Sequence, residues 1–150
     1  MIMRFCYPEI PKVYWVDCFT YKCNSCGNIY DVTLPNGNDN LAKFKEKSGD
    51  EERWLPIYGR GGYVDLLNKL VPENSHSITM EMTKMFLVEL NKYCERGING
   101  NGFDIYLSNF NCPSCNSNNT MYLSEKVLTN PKLSWLKISC HLIEDPYIRI

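Results

Sequence analysis

Cys23-Asn24-Ser25-Cys26 and Cys112-Pro113-Ser114-Cys115 are the residues of this chain whose type and spacing could do chemistry. A Cys-x-x-Cys turn lets two sulfurs face one point. Two such turns offer four thiolates, the ligand set of a closed tetrahedral zinc site. Gly27 follows the first pair and Asn116 the second. That position often needs a positive φ, which glycine adopts freely and asparagine tolerates better than most residues. Pro113 stiffens the second turn. The expected cofactor is a structural Zn2+ on Cys23, Cys26, Cys112 and Cys115. With all four positions filled by sulfur it cannot activate water. It adds folding energy instead, on the order of 10 kcal/mol in apparent terms for small zinc domains.

The elements that must carry these turns are legible as β-structure. Residues 13–22 are rich in β-branched and aromatic side chains and read as a strand running into the first turn. Ile29 to Leu34 reads as its return, stopped by Pro35-Asn36-Gly37-Asn38. Phe103 to Phe110 reads as a strand entering the second turn. Asn116-Ser117-Asn118-Asn119 turns the chain back into a strand over Thr120 to Leu128, broken by Asn130-Pro131. Ser134 to Ile143 reads as a final strand. With these accessory residues the chain resembles the zinc ribbon class and its two CPxCG-like knuckles, over about residues 13–34 and 103–128. The departures are the long insert between the knuckles and Asn24, where the class often has proline. The resemblance implies a zinc ribbon split by an insertion.

The insert reads as helical over about 54–96. Residues 36–53 are polar and charged and read as a surface loop, with a short helical turn around Leu41 to Lys47. A short helix is expected over Val64 to Val71, ended by Pro72, with Asp65 complementing its dipole. The strongest helix is Met80 to Arg96, with Thr79 as N-cap and Gly97 as its stop. Met82, Phe86, Leu90 and Cys94 recur every four residues, joined by Tyr93, and form one apolar face. A fully buried Phe or Leu contributes roughly 1.5–3 kcal/mol, which ties such a helix to a sheet. The expected architecture is one α+β domain over 1–150, an antiparallel β-sheet carrying the split ribbon with the helical insert packed on it.

The remaining four cysteines, Cys6, Cys18, Cys94 and Cys140, have no paired spacing. Cys18 and Cys94 read as small apolar core residues. Cys140-His141 could replace one ligand, but a strand-borne cysteine is the plainer reading. His76 reads as a cap or surface residue. Thiol redox chemistry is the rival use of the Cys-x-x-Cys pairs. A reactive pair usually opens a helix, whose N-terminus lowers the thiol pKa. The sequence after Cys115 is poor helix sequence.

Composition narrows the function. The chain has 150 residues, 44% of them hydrophobic, and a net charge of -1, so it can bury a core and has no general pull toward polyanions. Met1 to Ile10 does not read as a secretory signal, and no apolar run is long enough to span a bilayer. Cytoplasmic residence with reduced thiols is therefore expected, and the abundance of Asn, Lys, Ile and Tyr matches an AT-rich bacterial genome. No G-x-S-x-G, H-E-x-x-H, P-loop or G-x-G-x-x-G pattern occurs, and two histidines supply no acid–base pair. Gly59-Arg60-Gly61-Gly62 could cradle an anion, but reads better as a tight turn that packs Tyr58 and Tyr63. The chain is not expected to be an enzyme.

Two binding readings remain. Nucleic acid would be read by basic and aromatic side chains, yet Lys12, Lys22 and Lys126 form no dense stripe. A protein-binding module is favoured. Trp54, Tyr58, Arg60 and Tyr63 are residue types that dominate interface energies, and Asp50, Glu51 and Glu52 could meet a basic partner. Residues 54–67 are similar to segments in immunity-type proteins of bacterial toxin systems. That resemblance implies a cytoplasmic protein that neutralises a partner toxin by occlusion.

Overall fold

The first hairpin forms as its β-rich residues require. In the computed structural model, which describes residues 3–36, 40–71, 80–106 and 110–144, β2 (Trp15–Cys23) pairs antiparallel with β3 (Ile29–Pro35). The register sets Val16 opposite Pro35 and Lys22 opposite Ile29. β7 (Thr120–Thr129) pairs with the other edge of β2, so that β2 is central and Cys23 lies opposite Thr120. A bulge interrupts β7: Thr20 faces Ser124 and Tyr21 faces Tyr122, leaving Leu123 as the extra residue. This sheet belongs to a compact unit made of Val13–Asn40 and Leu107–Lys132. Its small core comprises Cys23, Tyr30, Val32 and Cys112, flanked by Tyr21, Leu34 and Phe110. Tyr21 packs against Tyr30, Phe110 and Tyr122 at ring-centroid separations of 6.0, 5.4 and 6.0 Å.

A second compact unit comprises Met1–Lys12, Leu41–Tyr106 and Leu133–Ile150. It contains β1 (Phe5–Cys6) paired with β8 (Ile138–Ser139), and a three-stranded sheet ordered β5 (Glu52–Pro56), β4 (Leu41–Glu46), β6 (Phe103–Ile105). All these pairings are antiparallel. Helices α1 (Tyr63–Leu70) and α2 (Met80–Tyr93) bury Leu66, Leu67, Leu70, Phe86 and Leu90 in a core shared with Phe44, Leu55, Phe103, Leu136 and Ile138. A short helix α3 (Cys140–Glu144) follows β8 directly. The fold is α+β.

Three expectations are corrected. Residues 41–46 are a strand, not a surface loop with a helical turn, because two of their charges are buried with partners. Lys43 ion-pairs with Glu52 and lies 4.4 Å from the ring centroid of Tyr106 and 5.3 Å from that of Trp54. Glu46 accepts N–H bonds from Asn99 at 3.0 Å and Asn101 at 3.1 Å. Secondly, the final strand is confined to Ile138–Ser139, and the chain turns helical at Cys140. Thirdly, Cys6 and Cys140 are joined as a disulfide, so not all eight thiols are reduced and Cys140 is no ligand.

Smaller differences have local causes. α2 stops at Tyr93, short of Arg96, because Cys94 leaves the helix to bridge Ile138. β6 ends at Ile105, and the rest of the expected strand reaches residues 107–109, which lie outside the described residues together with His76, Thr79, Pro72, Gly37 and Asn38. Tyr63 packs on Phe86 at 4.8 Å, but Tyr58 is 70% exposed. The Gly59–Gly62 turn is not free for an anion. Asp65 already accepts the Gly61 N–H at 2.8 Å and holds Lys69 at 3.2 Å.

Candidate metal centre

Two short turns with the same hydrogen-bonding plan present the four sulfurs. In the first, the Gly27 N–H reaches the Cys23 carbonyl at 2.8 Å and the Cys23 N–H reaches the Asn28 carbonyl at 2.8 Å. In the second, Asn116 N–H to Cys112 carbonyl is 2.8 Å and Cys112 N–H to Ser117 carbonyl is 3.0 Å. Each turn closes through a residue in the left-handed region, Gly27 at φ 78° and Asn116 at φ 60°. The expected backbone roles of these two residues are therefore met.

The turns are fastened to one another as well. The Asn24 N–H donates to the Asn119 carbonyl at 2.9 Å, and the Asn24 amide donates to the Asn119 side-chain oxygen at 3.2 Å. The hydroxyls of Ser25 and Ser117 meet at 2.9 Å. Sequence reading passed over these contacts. Their signal was the shared presence of Asn and Ser near each pair, which is common turn chemistry and singles out nothing by itself.

The result is a convergence of four sulfurs, all within 4.8 Å of one another. Cys23 Sγ lies 3.5 Å from Cys115 Sγ, and Cys26 Sγ lies 3.6 Å from Cys112 Sγ. A tetrahedron with zinc–sulfur bonds of about 2.3 Å has edges of about 3.8 Å, so the donors fit such an ion. Among the described residues no other cluster of three or more metal-ligating side chains is found. His141 lies on α3 and is exposed.

Backbone N–H groups prepare the sulfurs for negative charge, and they do so unequally. The backbone N–H groups of Cys26 and Ser25 favour the Cys23 thiolate, and those of Cys115 and Ser114 favour the Cys112 thiolate. The Asn28 N–H favours the Cys26 thiolate and the Ser117 N–H favours that of Cys115. Cys23 and Cys112 are buried, whereas Cys26 and Cys115 are exposed. The N–H bond from Cys26 leads those that hold the Cys23 thiol below its ordinary pKa. Desolvation opposes ionisation of Cys112, but its N–H donors and the thiols of Cys26 and Cys23 outweigh it and bring the group down to about 6. The Ser117 N–H favours the Cys115 thiolate, yet donation to the neighbouring sulfurs and burial push that thiol up to about 12. The same competition raises Cys26. Two sulfurs thus ionise readily and the other two resist while their neighbours are negative. A divalent cation at the centre resolves that conflict, because it favours all four thiolates together.

Neither Cys-x-x-Cys opens a helix. The first lies between β2 and β3 and the second precedes β7. The remaining thiols are buried: Cys18 is 3% exposed, and desolvation pushes Cys94 up to about 12.

The residues expected to meet a partner differ in exposure. Trp54 is 3% exposed and lies in the interior of its unit. Glu51 ion-pairs with Arg53 and accepts the Ile98 N–H, and Glu52 neutralises Lys43. Asp50 is fully exposed, 3.6 Å from Lys45. Tyr63 is half-buried, and Tyr58 and Arg60 are exposed on the turn that precedes α1. No helix among the described residues is long and apolar enough to cross a membrane.

The chain matches no protein-family model, no curated protein and no solved structure.

Proposed function

We propose that the chain is a zinc-stabilised protein-binding module. The observation that carries the metal assignment is the convergence of Cys23, Cys26, Cys112 and Cys115 within 4.8 Å. When bound, a zinc ion neutralises these thiolates and cross-links two turns that lie on opposite sides of a long insert. The chain's own part is to hold four sulfurs in place, with Asn24, Asn119, Ser25 and Ser117 locking the turns. Four protein ligands leave no position for water or substrate, which supports a structural role over catalysis.

Protein binding is supported by what the metal-bearing unit exposes. Met121, Tyr122, Leu123 and Val127 on β7 are 46, 52, 42 and 57% exposed. Its charges are Lys22, Lys126 and Lys132 against Asp17, Asp31, Asp39 and Glu125, a balance that does not favour a phosphate backbone. A narrower form of the proposal is a bacterial immunity protein that occludes a toxin, with Tyr58 and Arg60 as contact residues. Cytoplasmic residence belongs to that form, since reduced thiols load metal. The Cys6–Cys140 disulfide weighs against it.

Native mass spectrometry of the purified protein, with metal analysis, tests the proposal. One zinc per chain, lost with folding in Cys23→Ser or Cys112→Ser, is the expected outcome. Absence of zinc, or full zinc retention and unchanged melting in both variants, rejects the metal site. Salt-sensitive capture of generic DNA would replace the protein-binding reading with a nucleic-acid one.

A further inference from the structure

The two halves of the sulfur cluster differ in access. Cys23 and Cys112 are buried. Cys26 and Cys115 are exposed. Peroxide in solution therefore meets the exposed pair first. The short contacts join each exposed sulfur to a buried one of the opposite turn, Cys115 to Cys23 at 3.5 Å and Cys26 to Cys112 at 3.6 Å. A disulfide needs about 2.05 Å, so each pair must close by about 1.5 Å. Bridging across the turns keeps the Gly27-to-Cys23 and Asn116-to-Cys112 backbone bonds that shape each turn.

We propose that the metal centre is a hydroperoxide-sensitive site, in which Cys26 and Cys115 are the points of attack and oxidation closes the crossed disulfides Cys23–Cys115 and Cys26–Cys112 with loss of the metal. The inference rests on the metal assignment above and concerns the regulation of that site. The Cys115 thiolate attacks one oxygen of hydrogen peroxide. A sulfur–oxygen bond forms, the oxygen–oxygen bond breaks, and hydroxide leaves and is protonated to water. The Cys23 thiolate then attacks the resulting sulfenic acid. The sulfur–sulfur bond forms and a second hydroxide leaves, again taken up as water. Two thiolates, one peroxide and two protons give one disulfide and two waters. Cys26 and Cys112 repeat the sequence with a second peroxide. The donor set is then gone, but the covalent bridges still join the two turns, so the oxidised unit keeps the link that the metal supplied. Cys18 and Cys94, 3% and 4% exposed, stay as thiols under the same treatment.

The test takes zinc-loaded full-length protein and titrates it with hydrogen peroxide in the presence of a chromogenic zinc chelator. Circular dichroism follows the fold, and non-reducing peptide mapping locates the bridges. If the preparation holds no zinc before peroxide is added, the metal assignment itself fails. With zinc bound, the expected result is metal release together with bridges 23–115 and 26–112, retained β-structure, free Cys18 and Cys94, and renewed zinc binding after dithiothreitol. Zinc retention under excess peroxide overturns the inference. So does release with bridges inside Cys23–Cys26 and Cys112–Cys115, or with sulfinic acids in place of disulfides. Because the wild-type map decides the pairing, no conclusion depends on a cysteine variant that fails to fold.

Discussion

The carboxylate of Glu46 fills the space that a β-carbon on Gly97 would need. An added Cβ would stand 2.2 Å from Glu46 Cδ. Glu46 is 2% exposed and holds the Asn99 and Asn101 N–H groups, so it cannot swing aside without stranding them. Gly97→Ala should therefore destabilise the protein by about 2–3 kcal/mol, through overpacking and lost hydrogen bonds. Urea unfolding measures this, and an unshifted midpoint would show that the carboxylate relocates freely.

Lys43 is buried and paired with the carboxylate of Glu52. Desolvation lowers its pKa, and Glu52 is what favours its charged form. Glu52→Ala should cost about 2 kcal/mol, less than the 3–5 kcal/mol of a fully buried pair because the Glu52 side chain is 39% exposed. In a Lys43→Met background the same substitution should cost almost nothing, since no buried cation is stranded. A double-mutant cycle reads the difference, and equal costs in both backgrounds would reject the pairing.

The disulfide between Cys6 and Cys140 closes a loop with a sequence separation of 134. Its removal in Cys6→Ser/Cys140→Ser should lower stability by about 2–4 kcal/mol, chiefly by freeing the unfolded chain. Zinc content should not change, because the four clustered cysteines belong to the other unit. Thermal melts paired with metal analysis check both statements. Loss of zinc in this variant would mean that the bridge supports the metal site.

Glu51 gives a pH dependence. The Ile98 N–H holds its carboxyl below the ordinary value of 4.5, opposed by desolvation and aided by Arg53. The folded pKa is depressed, so the stabilisation is present above about 4.5 and is lost as pH falls through the folded value. Glu51→Gln should destabilise at neutral pH by about 1–2 kcal/mol and flatten that part of the acid limb. Chemical denaturation across pH 2–7 tests it, and parallel curves for both proteins would show that Glu51 contributes no such linkage.

The residues that were legible in the sequence are those whose local pattern and final environment agree. β2, β3 and β7 are β-rich and turn-bounded, and the helical period of Phe86 and Leu90 points inward as read. The four clustered cysteines were legible because their spacing is itself the chemistry. β4 was not, because Lys43 and Glu46 look like solvent residues. What buries them is supplied by Glu52, Tyr106 and the 99–101 amides, distant partners that no local window contains. The structural role of Asn91 on α2 was hidden for the same reason. Its amide donates to the Phe103 carbonyl at 2.9 Å and its oxygen accepts the Phe103 N–H at 2.8 Å, so it ties β6 to the helix. Cys140 was read as strand-borne because nothing near it marks the helix start or its bond to Cys6.

Cys112 follows Cys26 by 86 positions. At roughly 5–20 residues per second, a ribosome takes roughly 4–17 s to cover that distance. Throughout that interval the nascent chain holds the first turn with half a ligand set. Cys94 emerges before Cys112 and is the one further thiol made in the gap. Its burial behind Phe86 and Leu90, if α2 docks promptly, withdraws it from competition. Cys6 must wait longer still, for Cys140. Any chain halted before Cys115 therefore carries an unfinished donor set, and the order of synthesis places metal capture after the whole insert has been made.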